Sequence, residues 1–80
     1  MEIAYYAGAA DAAGTDREQL DTPHDMTAAD LVTLLSARHD RLSGVLGSCS
    51  LLVDGAPVKG PEVLVPAQSR VDVLPPFAGG

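Results

Sequence analysis

Apolar and polar positions alternate at the start of the chain: over Glu2 to Ala7, Ile3 and Tyr5 fall on one face and Ala4 and Tyr6 on the other, the period of a strand. The Ala-rich stretch from Gly8 to Gly14 closes with glycine, as a short helix ending in a left-handed cap would. A second strand is expected from about Arg17 to Asp21. The strongest local signal follows at Met26-Thr27-Ala28-Ala29-Asp30-Leu31. Thr27 can cap the first amides of a helix, Asp30 can reach back three residues later, and Met26 can staple to Leu31. Ala28, Leu31, Val32 and Leu35 then recur at helical spacing, which predicts the main helix over about Ala28 to Arg38. Leu34, Leu42 and Leu46 broaden its apolar stripe before Gly44 and Gly47 stop it.

Beyond that helix, Cys49 to Val53 is a short apolar run meeting Asp54-Gly55, a strong hairpin signal, with Val58 on the returning side. Pro57, Pro61 and Pro66 divide the next stretch, so any strand there sits at an edge. Arg70 to Leu74 alternates Val71 and Val73 against Arg70 and Asp72, a final strand. The order of elements implies an α+β roll, a mixed sheet wrapped over one main helix. Its expected core is Ile3, Tyr5, Leu20, Leu31, Val32, Leu35, Val53, Val71 and Val73. Residues 1–74 form the expected domain, and residues 75–80 an extended tail.

Eighty residues allow one small core, and twelve of the hydrophobic positions are Ala, so that core is compact. One cysteine excludes an internal disulfide, and the two histidines and Cys49 never approach metal-ligand spacing, so no metal is expected. A formal charge of -6, with three aromatic residues, argues against nucleic acid and suits a basic partner surface. The amino terminus lacks the positive region of an export signal and no apolar stretch reaches spanning length. A soluble cytoplasmic protein with no membrane partner is the expectation. Cys49 reads as a small buried hydrophobe. His24 in its loop and His39 at the helix end read as structural or solvated.

The chemistry concentrates in Pro75-Pro76-Phe77-Ala78-Gly79-Gly80. The prolines stop the last strand and hold the backbone extended, so the chain leaves the domain in a defined direction. Six extended residues span about 20 Å, enough to reach the bottom of another protein's active site. Phe77, directed outward by the prolines, reads as an anchor for a partner, with packing back on its own domain as the alternative. Gly79 and Gly80 can thread a channel as wide as a backbone and leave the terminal carboxylate sterically open. With a reference pKa of about 3.5 that carboxylate is ionised and resists nucleophiles, so acyl chemistry there requires activation, for example as an adenylate. The chain has no nucleotide-binding glycine loop of its own, which makes it the substrate of activation rather than the catalyst.

The element order, with the ending Val-Asp-Val-Leu-Pro-Pro-Phe-Ala-Gly-Gly, resembles the ubiquitin-like sulfur carriers of the MoaD/ThiS family over the whole chain, the molybdopterin branch most of all. The resemblance implies a β-grasp (ubiquitin-like) fold with no bound cofactor and no catalysis of its own. It implies that Gly80 is adenylated with ATP by an E1-like activating enzyme and converted to a thiocarboxylate by a sulfur donor protein. It further implies that Pro75, Pro76, Phe77, Ala78 and Gly79 enter the large subunit of molybdopterin synthase, where sulfur passes to cyclic pyranopterin monophosphate. A carrier for thiamin, cysteine or tRNA thiolation would share these residues, and a ubiquitin-like modifier would join Gly80 to a lysine. One departure is Ala67-Gln68-Ser69, where many relatives have a Gly-Asp turn.

Overall fold

The computed structural model describes residues 1–76. Strand β1 (Glu2–Tyr5) leads through helix α1 (Ala7–Ala13) to β2 (Arg17–Gln19), then β3 (Met26–Thr27) and helix α2 (Ala28–Arg38). Two short 3-10 turns, Asp40–Gly44 and Leu46–Ser48, precede β4 (Ser50–Val53), β5 (Ala56–Pro57), β6 (Leu64–Val65) and β7 (Arg70–Leu74). Five strands form one sheet in the order β2-β1-β7-β4-β5, and β3 pairs with β6 in a separate ribbon. Strands β1 and β7 lie side by side and parallel, with Ile3 beside Val71 and Tyr5 beside Val73; all other pairings are antiparallel. The first and last strands thus occupy the middle of the sheet, and the rest of the chain closes round them.

Local chemistry accounts for the element ends. Gly14 adopts a left-handed backbone (φ 75°) and its N–H donates to the Ala10 carbonyl, closing α1 as expected. The Thr27 hydroxyl accepts from the Asp30 N–H at 3.1 Å, so α2 starts where its cap predicts. Asp54 and Gly55, at φ 50° and 86°, make the two-residue turn of the β4–β5 hairpin. β5 carries Pro57 at the sheet's edge, where a missing N–H costs no ladder bond. The departure at Ala67-Gln68-Ser69 is a tight turn closed by the Ser69 N–H on the Pro66 carbonyl at 3.1 Å. It is braced by the Thr22 hydroxyl on the Ala67 carbonyl and by the Ala67 N–H on Asp25.

Several expectations are corrected. β2 ends at Gln19 rather than Asp21; Leu20 still exchanges backbone hydrogen bonds with Met1 and joins the core, and Asp21 beyond it is exposed. β1 ends at Tyr5, and Tyr6 leaves the strand to become the residue before α1. Cys49 does not belong to β4; its N–H closes the second 3-10 turn on the Leu46 carbonyl. Val32 and Val53 are only partly buried, whereas Leu42, Leu46, Leu51 and Val65 are core residues. Leu42 is fully buried because it sits in a separate 3-10 turn that packs against both α1 and α2 rather than extending the helix stripe.

Candidate functional site

β7 carries the carboxyl end of the chain. Val71 and Val73 are fully buried, and their strand is bonded on both sides, to β1 and to β4. That makes β7 a rigid mount. Leu74 is the last paired residue, opposite Ser50, and Pro75 and Pro76 cannot donate a further ladder bond. Pro75 is half-buried and Pro76 exposed, so the chain turns from covered to solvent-facing within two residues. Phe77, Ala78, Gly79 and Gly80, the rest of the expected site, lie outside the described residues.

The outward positions of β7 are tied to the start of α1. The Tyr6 hydroxyl donates to Asp72 Oδ1 at 3.2 Å, and Arg70 Nε donates to the same oxygen at 3.3 Å. Arg70 Nη2 reaches the Tyr6 hydroxyl at 3.4 Å, and the Tyr6 N–H donates to the Val73 carbonyl. These contacts fix the face of β7 next to the point where the tail departs.

A second cluster was missed in the sequence. The Glu18 carboxylate accepts from the Tyr5 hydroxyl at 2.5 Å, from Arg38 Nε and Nη2 at 2.9 and 2.7 Å, and pairs with His39 Nε2 at 2.6 Å. Burial alone would raise the Glu18 carboxyl, but the bonds from Tyr5, His39 and Arg38 outweigh it and hold the group below its ordinary value. Burial, then the hydrogen bond to and charge of Glu18, push the Tyr5 phenol well above its usual range. Glu18 lies 20 and 21 positions from the neighbouring Arg38 and His39, and no spacing rule joins an edge strand to a helix end; only the topology does. The cluster fastens β2 to the end of α2 and lies on structure rather than on the tail.

Cys49 is half-buried, its thiol donates to the Val45 carbonyl at 3.3 Å, and burial pushes its pKa up. A raised thiol pKa leaves little thiolate at neutral pH, which suits a packed side chain better than a nucleophile. Among the described residues no group of three or more His, Cys, Asp or Glu could hold a metal, and no helix is long and apolar enough to cross a membrane.

A mixed sheet curved over one helix, with its first and last strands parallel at the centre, defines a ubiquitin-like β-grasp domain. Residues 3–80 match the model of the ThiS family, and the chain belongs to that family. A Pyrococcus furiosus protein described as a molybdopterin converting factor, subunit 1, superposes with a TM-score of 0.80 at 23% identity, with 94% of each chain covered. SAMP1 from Haloferax volcanii superposes with a TM-score of 0.79 at 26% identity, over 99% of this chain and 97% of that one. The small archaeal modifier protein 1 of Methanosarcina acetivorans gives a TM-score of 0.80 at 23% identity, over 99% and 94%. Comparison with curated proteins finds no match. Fold and family together place the chain among the ubiquitin-like carriers of the MoaD/ThiS family.

Proposed function

We propose that this protein is the sulfur-carrying small subunit of molybdopterin synthase, with the Gly80 carboxylate as the group that carries sulfur. The observation that supports this most is the placement of Pro75-Pro76 directly after a doubly bonded central strand, with Pro76 already exposed to solvent. An E1-like enzyme joins the Gly80 carboxylate to AMP from ATP, releasing pyrophosphate. Sulfur delivered at the sulfide level by a donor protein then displaces AMP and leaves a thiocarboxylate; when the donor holds it as a persulfide, the acyl disulfide first formed is cleaved by a thiol, which supplies the two electrons and ends as a disulfide. Sulfur is more polarisable and less tightly hydrated than oxygen, so the tail end becomes a tethered nucleophile at neutral pH. In the large subunit its sulfur bonds to a carbon of cyclic pyranopterin monophosphate as an oxygen substituent leaves that carbon, and water then hydrolyses the resulting thioester, returning the carboxylate to Gly80 and leaving the sulfur on the pterin as a thiol. Pro75, Pro76, Phe77, Ala78 and Gly79 are the segment that enters the partner, Phe77 anchoring it and the glycines threading the narrow part. The protein itself holds no cofactor and works in the cytoplasm.

Intact mass tests the carrier role: with ATP, the activating enzyme and a sulfur source, one oxygen of the chain should exchange for sulfur. Transfer from that product to cyclic pyranopterin monophosphate, with the large subunit present, tests the pathway. The likeness to SAMP1 at 26% identity favours a second reading, a modifier joined through Gly80 to lysines of other proteins. Stable adducts on lysine, with no sulfur uptake, would support it over the first.

A further inference from the structure

An apolar groove of about 650 Å³ opens between the start of α2 and the β4–β5 side of the sheet. Ala28, Val32, Leu51 and Val58 line it, together with Cys49 and Lys59. Its position relative to the tail follows from register. Leu74 lies opposite Ser50, so the next positions along the two chains are Pro75 and Cys49, which is itself a lining residue. On the other side of β4, the Val58 N–H donates to the Leu51 carbonyl at 2.9 Å and carries the chain toward Lys59 and Pro61 at the same end of the sheet. Groove and tail exit are therefore about one strand spacing apart, roughly 5 Å. The residues after Pro76 reach about 13 Å when extended, more than enough to enter it.

We propose that the groove is the resting site of the protein's own tail, receiving the Phe77 ring among Val32, Leu51 and Val58 and presenting Lys59 to the Gly80 carboxylate. Two features choose this occupant. The groove is lined mainly by apolar side chains, and Phe77, the first residue beyond the prolines, is the one large apolar side chain in the tail sequence. Lys59 is exposed, has no ion pair among the described residues, and is opposite in charge to the tail end. An exposed pair of this kind orients more than it holds, so the ring supplies most of the attraction. Tethering makes docking intramolecular, and Pro75-Pro76 have already restricted the base. Ordering Phe77 and the residues after it cancels part of the gain, so the docked and released forms exchange rather than one excluding the other. The consequence is a latch: the tail assigned the chemistry under the proposed function is sheltered when free, and a partner competes with the groove for Phe77.

Cys49 lines the groove and serves as the reporter. Alkylation of its thiol by iodoacetamide is timed in the full chain, in a chain ending at Pro76, and in Phe77→Ala, with denaturant midpoints checked for each. Loss of the tail or of the ring should speed alkylation about two- to tenfold at unchanged midpoint, the range expected when burial and ordering nearly balance. In a Lys59→Gln background the tail's effect should shrink. Equal rates in all three chains would overturn the proposal. Protection that fades on dilution would also overturn it, placing a second copy's tail in the groove. No ATP or sulfur source enters this measurement, so its failure leaves the carrier reading standing, and failure of thiocarboxylate formation leaves the latch standing.

Discussion

Glu18 Oε2 and His39 Nε2 lie 2.6 Å apart, across 21 positions of sequence, and join the edge strand of the sheet to the end of the main helix. The same carboxylate is held by Tyr5 and Arg38, so its charge is compensated where it is mostly covered. Glu18→Gln should lower stability by about 1–3 kcal/mol and Tyr5→Phe by about 1 kcal/mol, the usual consequence of weakening hydrogen bonds to a charged group. The pH dependence has a definite sign. Glu18 titrates lower in the folded chain than in the unfolded one, so its contribution is complete above the unfolded carboxyl value and is lost as pH falls through the folded value. Denaturant midpoints of the native chain should drop on acidification below the ordinary glutamate range, and those of Glu18→Gln should drop less; parallel curves would remove Glu18 from this role.

Leu42→Ala should cost about 2–5 kcal/mol, the range for emptying a closed core position. The residue is fully buried, in the 3-10 turn that follows α2. Val53→Ala removes a partly buried side chain at the end of β4 and should cost less, about 1 kcal/mol. Thermal denaturation of the two variants side by side checks the order, and a reversal would mean that the turn after α2 is not a core element.

The contrast between Leu42 and Val53 shows what was legible in the chain. Helix α2 was readable to the residue because Thr27, Asp30 and the Leu31–Leu35 spacing are local signals, each acting within two turns. β7 was readable because strict alternation of Val71 and Val73 with polar residues is also local. Leu42 continues the helix stripe in sequence, but its burial depends on a 3-10 turn packing against α1 and α2, which leaves no periodic trace. The β3–β6 ribbon was likewise hidden, since two-residue strands have no pattern and exist only because the two segments meet. The Glu18 cluster belongs to the same class of long-range consequence. Near the tail, the end of β7 at Pro75-Pro76 is legible in the order of residues, Phe77 to Gly80 lie outside the described residues, and the groove beside the exit requires the register of β4 against β7.

Cys49→Ser should leave sulfur loading unchanged. The native thiol faces the Val45 carbonyl from a half-buried position, and burial disfavours its thiolate. If sulfur resides on the chain end, a hydroxyl at position 49 changes nothing in the yield of the sulfur-bearing product measured by intact mass. A proportionate loss of that product would instead make Cys49 a relay for sulfur.

Removal of Gly79 and Gly80 separates the fold from the chemistry. The residues that hold the domain together end with β7, where Val73 is the last fully buried side chain and Leu74 the last paired position. Pro76 is already exposed, so truncating four positions beyond Leu74 removes no core contact among the described residues. The melting temperature should therefore stay close to that of the full chain, within the roughly 0.5 kcal/mol typical of changes away from packed features. Loading should vanish, because the new terminus at Ala78 neither threads as glycine does nor places its carboxylate as far from the domain. Calorimetry and intact mass on the same preparation give both answers. A large fall in melting temperature would mean that the glycines pack against the domain, and loading that persists at Ala78 would mean that the activating enzyme reads the strand and prolines rather than the chain end.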